Sequence, residues 1–372
     1  MLLEGPAITA GSFYASFLFD VADTIDLKKL SRIAGESAEP APLRMRTMPS
    51  PEHIQFAVPP LAANLTSTEI DGHLATVRAK IYDYGVISIR FAFAFAGTWH
   101  GFAEMANGLR RGDKLANEAR RLLGEILVDC SGALLEPHDT LVEDYFTCAV
   151  EQLAQPLDAA TLVADHKAAI VALMMAETRD LSPDEQAEVL RLRFSYFPED
   201  LVVVQWDCAF ILDTRDNALV LLDLFEFANS QLVEFRTYDE LLDHQIDTIY
   251  GLDTTRRVRV RPLHRREAEQ RADQLGYLLV DVRELSDRAS NALKIIGDAY
   301  YARIYRALAA RLGIDVWQRD IESKLDSVGE VYRYLIDQAQ AARSEFLELI
   351  VIVLIGIEII VGVLGLLVTW RH

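Results

Sequence analysis

The chain has 372 residues and a net charge of -19, with 51% hydrophobic and 25% charged residues. This composition is typical of a folded globular protein and excludes an intrinsically disordered one. The negative charge also argues against general nucleic-acid binding, because nucleic-acid phosphates would be repelled, so we expect no direct nucleic-acid partner.

The first part of the chain predicts strands mixed with short helices. The clearest strand is Val86–Ala96, where large apolar residues alternate with Ser88, Arg90 and alanines, a period of two that indicates one buried face. Gly85 just before it predicts a turn or a bulge. Further strands are predicted at 13–19, 53–58, 144–150 and 201–212, and helices at 26–33, 114–127, 159–177 and 183–193. We therefore predict an α+β body that ends near Thr214.

After this body the apolar residues follow a helical period. The spacing predicts one long helix over Asn217–Tyr250, because the apolar residues recur every three to four positions. A second long helix is predicted over Leu263–Leu312, Gly313 interrupts it, and a third helix begins near Val316. The expected arrangement is a helical stalk of long antiparallel helices.

Residues 349–368 predict a transmembrane helix. Almost all of them are Leu, Ile or Val, and their helical length matches a hydrocarbon layer of about 30 Å. Glu358 at the centre costs about 2.5–3.5 kcal/mol, which the apolar residues outweigh. Glu358, Gly362 and Gly365 share one helix face, which we expect to associate with other copies in a homo-oligomer. The alternative is a protonated Glu358 tolerated by the apolar helix.

The expected architecture has three parts. An α+β soluble body occupies residues 1–214, a long-helix stalk occupies 215–345, and one C-terminal transmembrane helix with a short tail occupies 346–372. The N-terminus lacks the basic region and the continuous apolar core of a signal peptide, so we expect the body to stay in the cytosol. This interpretation places the protein in the inner (cytoplasmic) membrane as a tail-anchored, single-pass protein that contacts the lipid bilayer.

A basic segment interrupts this acidic chain before the second long helix. Its arginines either belong to a solvated linker and pair with the acidic body, or form an anion site for lipid headgroups or RNA phosphates. The residues of this segment are Arg256, Arg257, Arg259, Arg261, Arg265 and Arg266.

The sequence contains no local catalytic motif. A phosphate-binding lysine loop, a dinucleotide fingerprint, a nucleophile elbow and a zinc-ligand spacing are all missing, so we expect no catalytic residue, cofactor or metal. A site assembled from distant residues would leave no such motif. Cys130, Cys148 and Cys208 are far apart, and we expect them to be small buried hydrophobes in a reducing compartment.

Three segments carry a similarity to a known family: the apolar run Leu347–Ile359, the element Tyr82-Asp-Tyr-Gly-Val86 and the helix end at Leu242–Tyr250. They resemble the family named "required for meiotic nuclear division". The similarity extends over roughly residues 75 to 370, and it departs from the family at Arg90. Only Glu348, Glu358 and the Tyr82–Val86 element match residue by residue, and none of them has a chemical role that can be transferred.

The resemblance implies one C-terminal membrane helix. An animal member looks like a mitochondrial inner-membrane protein that supports translation by tethering ribosomes. Together with the missing motifs, this predicts a non-enzymatic membrane-anchored oligomeric scaffold that holds a cytosolic protein or a ribosomal partner. The alternative is an oligomeric ion channel or transport protein lined by Glu358, and a third hypothesis is a membrane-bound enzyme with a dispersed site.

Overall fold

The structure is a computed structural model of the whole chain. It describes residues 4–30, 46–47, 58–177, 179, 181–253, 276, 280, 282–285, 287, 296–330 and 351–359. The chain divides into two compact units, one of residues 1–238 and 285–318 and the other of residues 239–284 and 319–372. The division predicted at residues 214 and 345 stays a prediction.

A mixed sheet of nine strands forms the centre of the first unit. The strands follow the order β2-β3-β4-β5-β1-β6-β9-β8-β7. All neighbours are antiparallel except β6 and β9, which are parallel. The strands are β1 Ile8–Ile25, β2 Arg46–Thr47, β3 Leu61–Ile70, β4 His73–Ile81, β5 Val86–Gly97, β6 Leu134–Leu153, β7 Arg193–Phe194, β8 Leu201–Val204 and β9 Cys208–Leu212.

Six helices connect or follow these strands, and the described residues 27–30, 314–330 and 351–359 are helical as well. Thr98, Asp158 and Asp298 cap the first, third and sixth helices by accepting backbone N–H groups with their side chains, which satisfies donors that a helix start leaves free. The helices are α1 Trp99–Arg111, α2 Lys114–Cys130, α3 Ala159–Met175, α4 Pro183–Val189, α5 Arg215–Asp253 and α6 Ala299–Arg311.

The two faces of the sheet differ in chemistry. Alternate residues of the central strands, such as Phe17 on β1 and Phe91 on β5, pack with α1, α2 and α3 in one large apolar core. The residues between them face α5, and they include Ser88 and Arg90 on β5. The strand predicted at Val86–Ala96 is confirmed, with the alternation that the sequence indicated.

The turn between β4 and β5 depends on Gly85. Its φ angle is +89°, a conformation that costs glycine little and other residues much. A Cβ atom built on Gly85 would lie 1.6 Å from the carbonyl oxygen of Ala22. Tyr82 and Tyr84 on this turn stack with ring centroids 5.0 Å apart. The predicted turn is therefore confirmed, and its backbone conformation and close packing require glycine at position 85.

The second unit is described only in part. Lys324 Nζ lies 2.7 Å from Asp239 Oδ1 and 2.6 Å from Asp243 Oδ1. Ile321, Leu325 and Val328 of the helical residues 314–330 are buried. These contacts are typical of helix packing with a charged rim.

The predicted transmembrane helix is wrong for the part of the chain that the structure describes. No helix among those residues has the length and the apolar character needed to cross a membrane. Of the segment 349–368, residues 351–359 are described as helical, which corresponds to roughly 14 Å of a layer of about 30 Å. The rest of the segment lies outside the described residues. The single-pass architecture and the inner-membrane location inferred from this helix are corrected accordingly.

Candidate functional site

A buried ion network joins the sheet to α5. Lys80 Nζ lies 2.5 Å from both Asp223 Oδ1 and Glu226 Oε2. The guanidinium of Arg90 lies 3.4 Å from Asp223 and 3.5 Å from Glu226. Ser88 Oγ donates to Glu226 at 3.1 Å. Two cations therefore contact two carboxylates, and the charge of Arg78 also acts on Asp223.

Each charge in this network depends on its partners because water is largely excluded. The side chains of Lys80 and Arg90 are only 5% and 4% exposed. Burial alone would raise the pKa of Asp223, but the charges of Lys80 and Arg90 outweigh it and hold that pKa below its ordinary value. Such a saturated network fixes the position of α5 and leaves no charge free to contact a ligand.

A second constellation lies where β7, β8 and α6 meet. Its residues Tyr196 and Phe197 are exposed, whereas Asp200 and Tyr300 are buried. The loop from Ser195 to Asp200 ends in a turn closed by the Asp200 N–H and the Phe197 carbonyl, with Pro198 at the second position. The carboxylate of Asp200 accepts the N–H groups of Tyr196 and Phe197 at 2.8 and 2.7 Å. The Pro198 carbonyl also accepts the N–H of Ala159. The loop is therefore held at several points although its side chains face solvent.

The rings on this loop form an aromatic cluster with two tyrosines of α6. We call Tyr196, Phe197, Tyr300 and Tyr301 the aromatic cluster. Tyr196 stacks edge-on against Phe197 at 4.8 Å and against Tyr300 at 5.3 Å, and Tyr300 lies 5.6 Å from Tyr301. Tyr196 and Phe197 are 64% and 61% exposed. Two large rings thus remain in water while their neighbours fix their positions.

Three carboxylates border the aromatic cluster. Leu201 and Leu212 pair across the β8–β9 hairpin, so Asp200 before β8 and Asp213 after β9 come together at one end. Asp298 caps α6 beside Tyr300. Burial raises the pKa of Asp213, with a further contribution from the charge of Asp200. Tyr300 donates its hydroxyl to Asp200 at 3.2 Å, and burial together with that carboxylate raises the pKa of Tyr300.

Trp206 lies at the other end of the same hairpin. Its side chain is 62% exposed, and it sits in the turn between Val204 and Cys208. The neighbouring Gln205 is fixed, because its Nε2 donates to the Val189 carbonyl and its Oε1 accepts from Arg311. β8 has four residues, so roughly 13 Å of strand separates this turn from the aromatic cluster.

The described residues include one groove of about 300 Å³ between β3 and α2. It is lined in part by Thr66, Arg121 and Glu125, and Arg121 is already paired with Glu118 and Glu125. Among the residues that the structure describes, no group of three or more His, Cys, Asp or Glu side chains could hold a metal ion. The absence of a metal or cofactor site stays a prediction for the chain as a whole.

The structure does not place the predicted membrane-helix face, Glu358, Gly362 and Gly365, in the candidate site. Glu358 lies in the described helical residues, where it and its apolar neighbours are exposed. Gly362 and Gly365 lie outside the described residues, as does the whole basic segment of Arg256, Arg257, Arg259, Arg261, Arg265 and Arg266.

The cysteines behave as the sequence predicted. Cys130, Cys148 and Cys208 are free and buried. Burial raises the pKa of Cys130 and of Cys148 to about 12, so both thiols stay protonated at neutral pH. They contribute packing, and thiol nucleophilicity is suppressed.

Sequence reasoning missed the aromatic cluster and Trp206. Phe194–Asp200 reads locally as the end of a strand followed by a turn, and Tyr300 stands 100 residues from Asp200. The local signal is Tyr196-Phe-Pro-Glu-Asp200, because Pro198 predicts a turn, and turns place their side chains at the surface.

These features define a layered α+β protein with a fixed aromatic surface at one edge of its sheet. The family described as "Uncharacterized protein MJ0711, N-terminal domain" matches residues 10–218, which is more than half of the chain. The chain belongs to this family. A relative from Methanocaldococcus jannaschii, "Uncharacterized protein MJ0711", is 22% identical over 226 residues, covering 60% of this chain and 67% of that protein. No solved structure matches.

This assignment overturns the resemblance to the "required for meiotic nuclear division" family. Nothing in the comparisons points to that family. The Tyr82–Val86 element that suggested it is explained by the β4–β5 turn, where Gly85 has a positive φ and two tyrosines stack. A local turn of this kind arises wherever the same geometry is required, so it does not identify a family.

Proposed function

We propose that the protein is a non-enzymatic scaffold that holds a protein partner against the edge of its sheet. The observation that carries this proposal is the exposure of Tyr196, Phe197 and Trp206 on loops whose backbone is held by hydrogen bonds at Tyr196, Phe197 and Gln205. Aromatic side chains of this kind are enriched at protein interfaces, where they lose little conformational entropy on binding. We call these three residues the aromatic surface.

The pre-organisation of the aromatic surface supports the same proposal. Binding that must first order a loop is weakened by the cost of that ordering. Asp200 already holds the backbone of Tyr196 and Phe197, and Arg311 already holds Gln205 beside Trp206. The Tyr196 and Phe197 rings are therefore placed for contact before a partner arrives, and the residue beside Trp206 is held as well.

The predicted homo-oligomer and the identity of the partner stay predictions. The alternative of an ion channel depended on a membrane helix lined by Glu358, so it is not proposed. A ribosomal partner was implied only by the family resemblance that the comparisons overturn.

The test compares three forms of the tagged full-length chain by quantitative affinity purification and mass spectrometry. The first is wild type, and the second is Tyr196→Ala/Phe197→Ala/Trp206→Ala. The third is a control, Leu74→Ala/Val128→Ala/Leu135→Ala, which removes three equally exposed apolar side chains elsewhere. We expect a near-stoichiometric partner on wild type and on the control, and its loss from the aromatic variant.

The purified partner is then titrated with each purified form. It should bind wild type and the control with similar affinity and the aromatic variant much more weakly. Equal recovery of the partner by all three forms would refute the proposal. Circular dichroism and thermal unfolding confirm beforehand that the variants fold, as exposed side chains contribute little to stability.

A further inference from the structure

The three carboxylates that border the aromatic cluster form no salt bridge within the described part of the chain. Asp200, Asp213 and Asp298 accept hydrogen bonds from neutral donors: backbone N–H groups, the Tyr300 hydroxyl and the Asn217 side chain. The salt bridges found in the described part of the chain involve none of these three carboxylates. This differs from the ion network of α5, where every carboxylate faces a cation.

The rings beside these carboxylates already accept a cation. The guanidinium carbon of Arg303 lies 5.6 Å from the centroid of the Tyr300 ring, within the range of a cation–π interaction. Tyr196 and Phe197 carry the same kind of ring face into solvent. The region therefore offers two largely exposed rings next to carboxylates that form no salt bridge within the described part of the chain.

We propose that the aromatic cluster binds a basic segment of a protein partner, with arginine or lysine side chains set against the Tyr196 and Phe197 rings and directed towards the bordering carboxylates. This proposal rests on the proposed function and names the chemistry of its partner. Arginine suits such a place because it stacks on rings and forms charge-assisted hydrogen bonds at the same time.

Charge complementarity selects a basic partner over an apolar one. The whole chain has a net charge of -19, which attracts a cationic partner from a distance and raises its association rate. Such long-range attraction is not specific to one surface patch. The rings supply that specificity, because a cation–π interaction forms only within a few ångströms of a ring.

The experiment measures fluorescence anisotropy of two labelled peptides of equal length, a Gly-Arg repeat and a Gly-Met repeat, with the full-length chain at about 0.15 M ionic strength. Wild type is compared with Tyr196→Ala/Phe197→Ala, which keeps the net charge. The control Glu104→Gln/Glu125→Gln removes two exposed charges on α1 and α2, away from the cluster.

We expect wild type to bind the Gly-Arg peptide at least about tenfold more tightly than the Gly-Met peptide, a difference of about 1.4 kcal/mol. The ring variant should lose about tenfold in affinity for Gly-Arg, and the charge control less than about threefold. Asp213→Asn should also weaken Gly-Arg binding more than Asp113→Asn, because Asp113 is an exposed aspartate outside the cluster.

Two results would overturn the inference in different ways. If the ring variant binds Gly-Arg like wild type, the attraction is general and the cluster is not a cation site. If wild type binds both peptides equally and the ring variant binds neither, the preference for a basic segment is wrong. The proposed role of the aromatic surface in binding a partner would then still be supported.

Discussion

The two faces of the central sheet are stabilised by different forces. On the face covered by α1, α2 and α3, side chains such as Phe13, Phe91 and Phe102 form one apolar core. On the face covered by α5, Lys80, Arg90, Asp223 and Glu226 form a buried ion network. Apolar packing tolerates small shifts, whereas a buried ion pair stabilises only while every partner is in place. The comparison predicts that the two faces respond differently to substitution.

The largest effect is expected from Glu226→Ala on the α5 face. It leaves Lys80, Arg90 and Ser88 without one of their partners in a region closed to water. We expect a loss of about 3–5 kcal/mol in the free energy of unfolding, measured by urea denaturation. A loss below about 1 kcal/mol would mean that water or Asp223 compensates, and the contrast between the faces would fail.

Leu162→Ala tests the apolar face. Leu162 on α3 is fully buried in the apolar core, so its truncation removes packing and leaves a cavity. The expected loss is about 2–5 kcal/mol, also from urea denaturation. This loss should stay constant between low and high salt, whereas strong salt dependence would show that charges contribute to this face as well.

The double variant Lys80→Met/Glu226→Leu separates burial from charge. It removes one cation and one carboxylate together and leaves Arg90 beside Asp223. Apolar replacements of buried ion pairs are often nearly neutral, so we expect the variant to lie within about 1.5 kcal/mol of wild type. A double variant as unstable as Glu226→Ala would show that apolar side chains cannot replace the ion pair between the sheet and α5.

The smallest effect is expected at His138, where β6 approaches β1. Burial lowers the pKa of His138, but the hydrogen bond and the charge of Asp20, with Asp23 nearby, outweigh it and raise the pKa. The stabilisation is therefore complete below the unfolded pKa of about 6.5 and disappears as pH rises through the folded-state pKa. His138→Gln should lower stability by less than about 1 kcal/mol near pH 5.5 and change little at pH 8. Thermal unfolding as a function of pH measures this, and an equal loss at both pH values would contradict it.

Elements with a strong local pattern could be predicted from the sequence. Apolar spacing predicts a strand at Val86–Ala96, and the strand is observed at Val86–Gly97. The helices predicted at Lys114–Leu127 and Asn217–Tyr250 are observed at Lys114–Cys130 and Arg215–Asp253. The segment 201–212 was predicted as one strand and is a hairpin, because Gln205 and Asp207 place a polar turn within it.

The candidate site could not be predicted, because it is assembled from distant parts of the chain. Lys80 meets Glu226 across 146 residues, and Tyr300 reaches Asp200 across 100. Periodicity reports which face of an element is buried, but it does not report which element covers that face. The transmembrane helix was predicted from hydropathy alone, and hydropathy also does not report which element covers an apolar face.

The packing around Gly85 also limits which substitutions this fold can accept during evolution. A side chain at that place would collide with the backbone of Ala22, so evolution can change the turn only by changing two strands together. Gly108 and Gly124 have open space around them, and drift can replace either one freely. Sequences that keep this fold should therefore keep a glycine at the position of Gly85 and vary at the other two, which makes Gly85 a marker of the packing between this turn and β1.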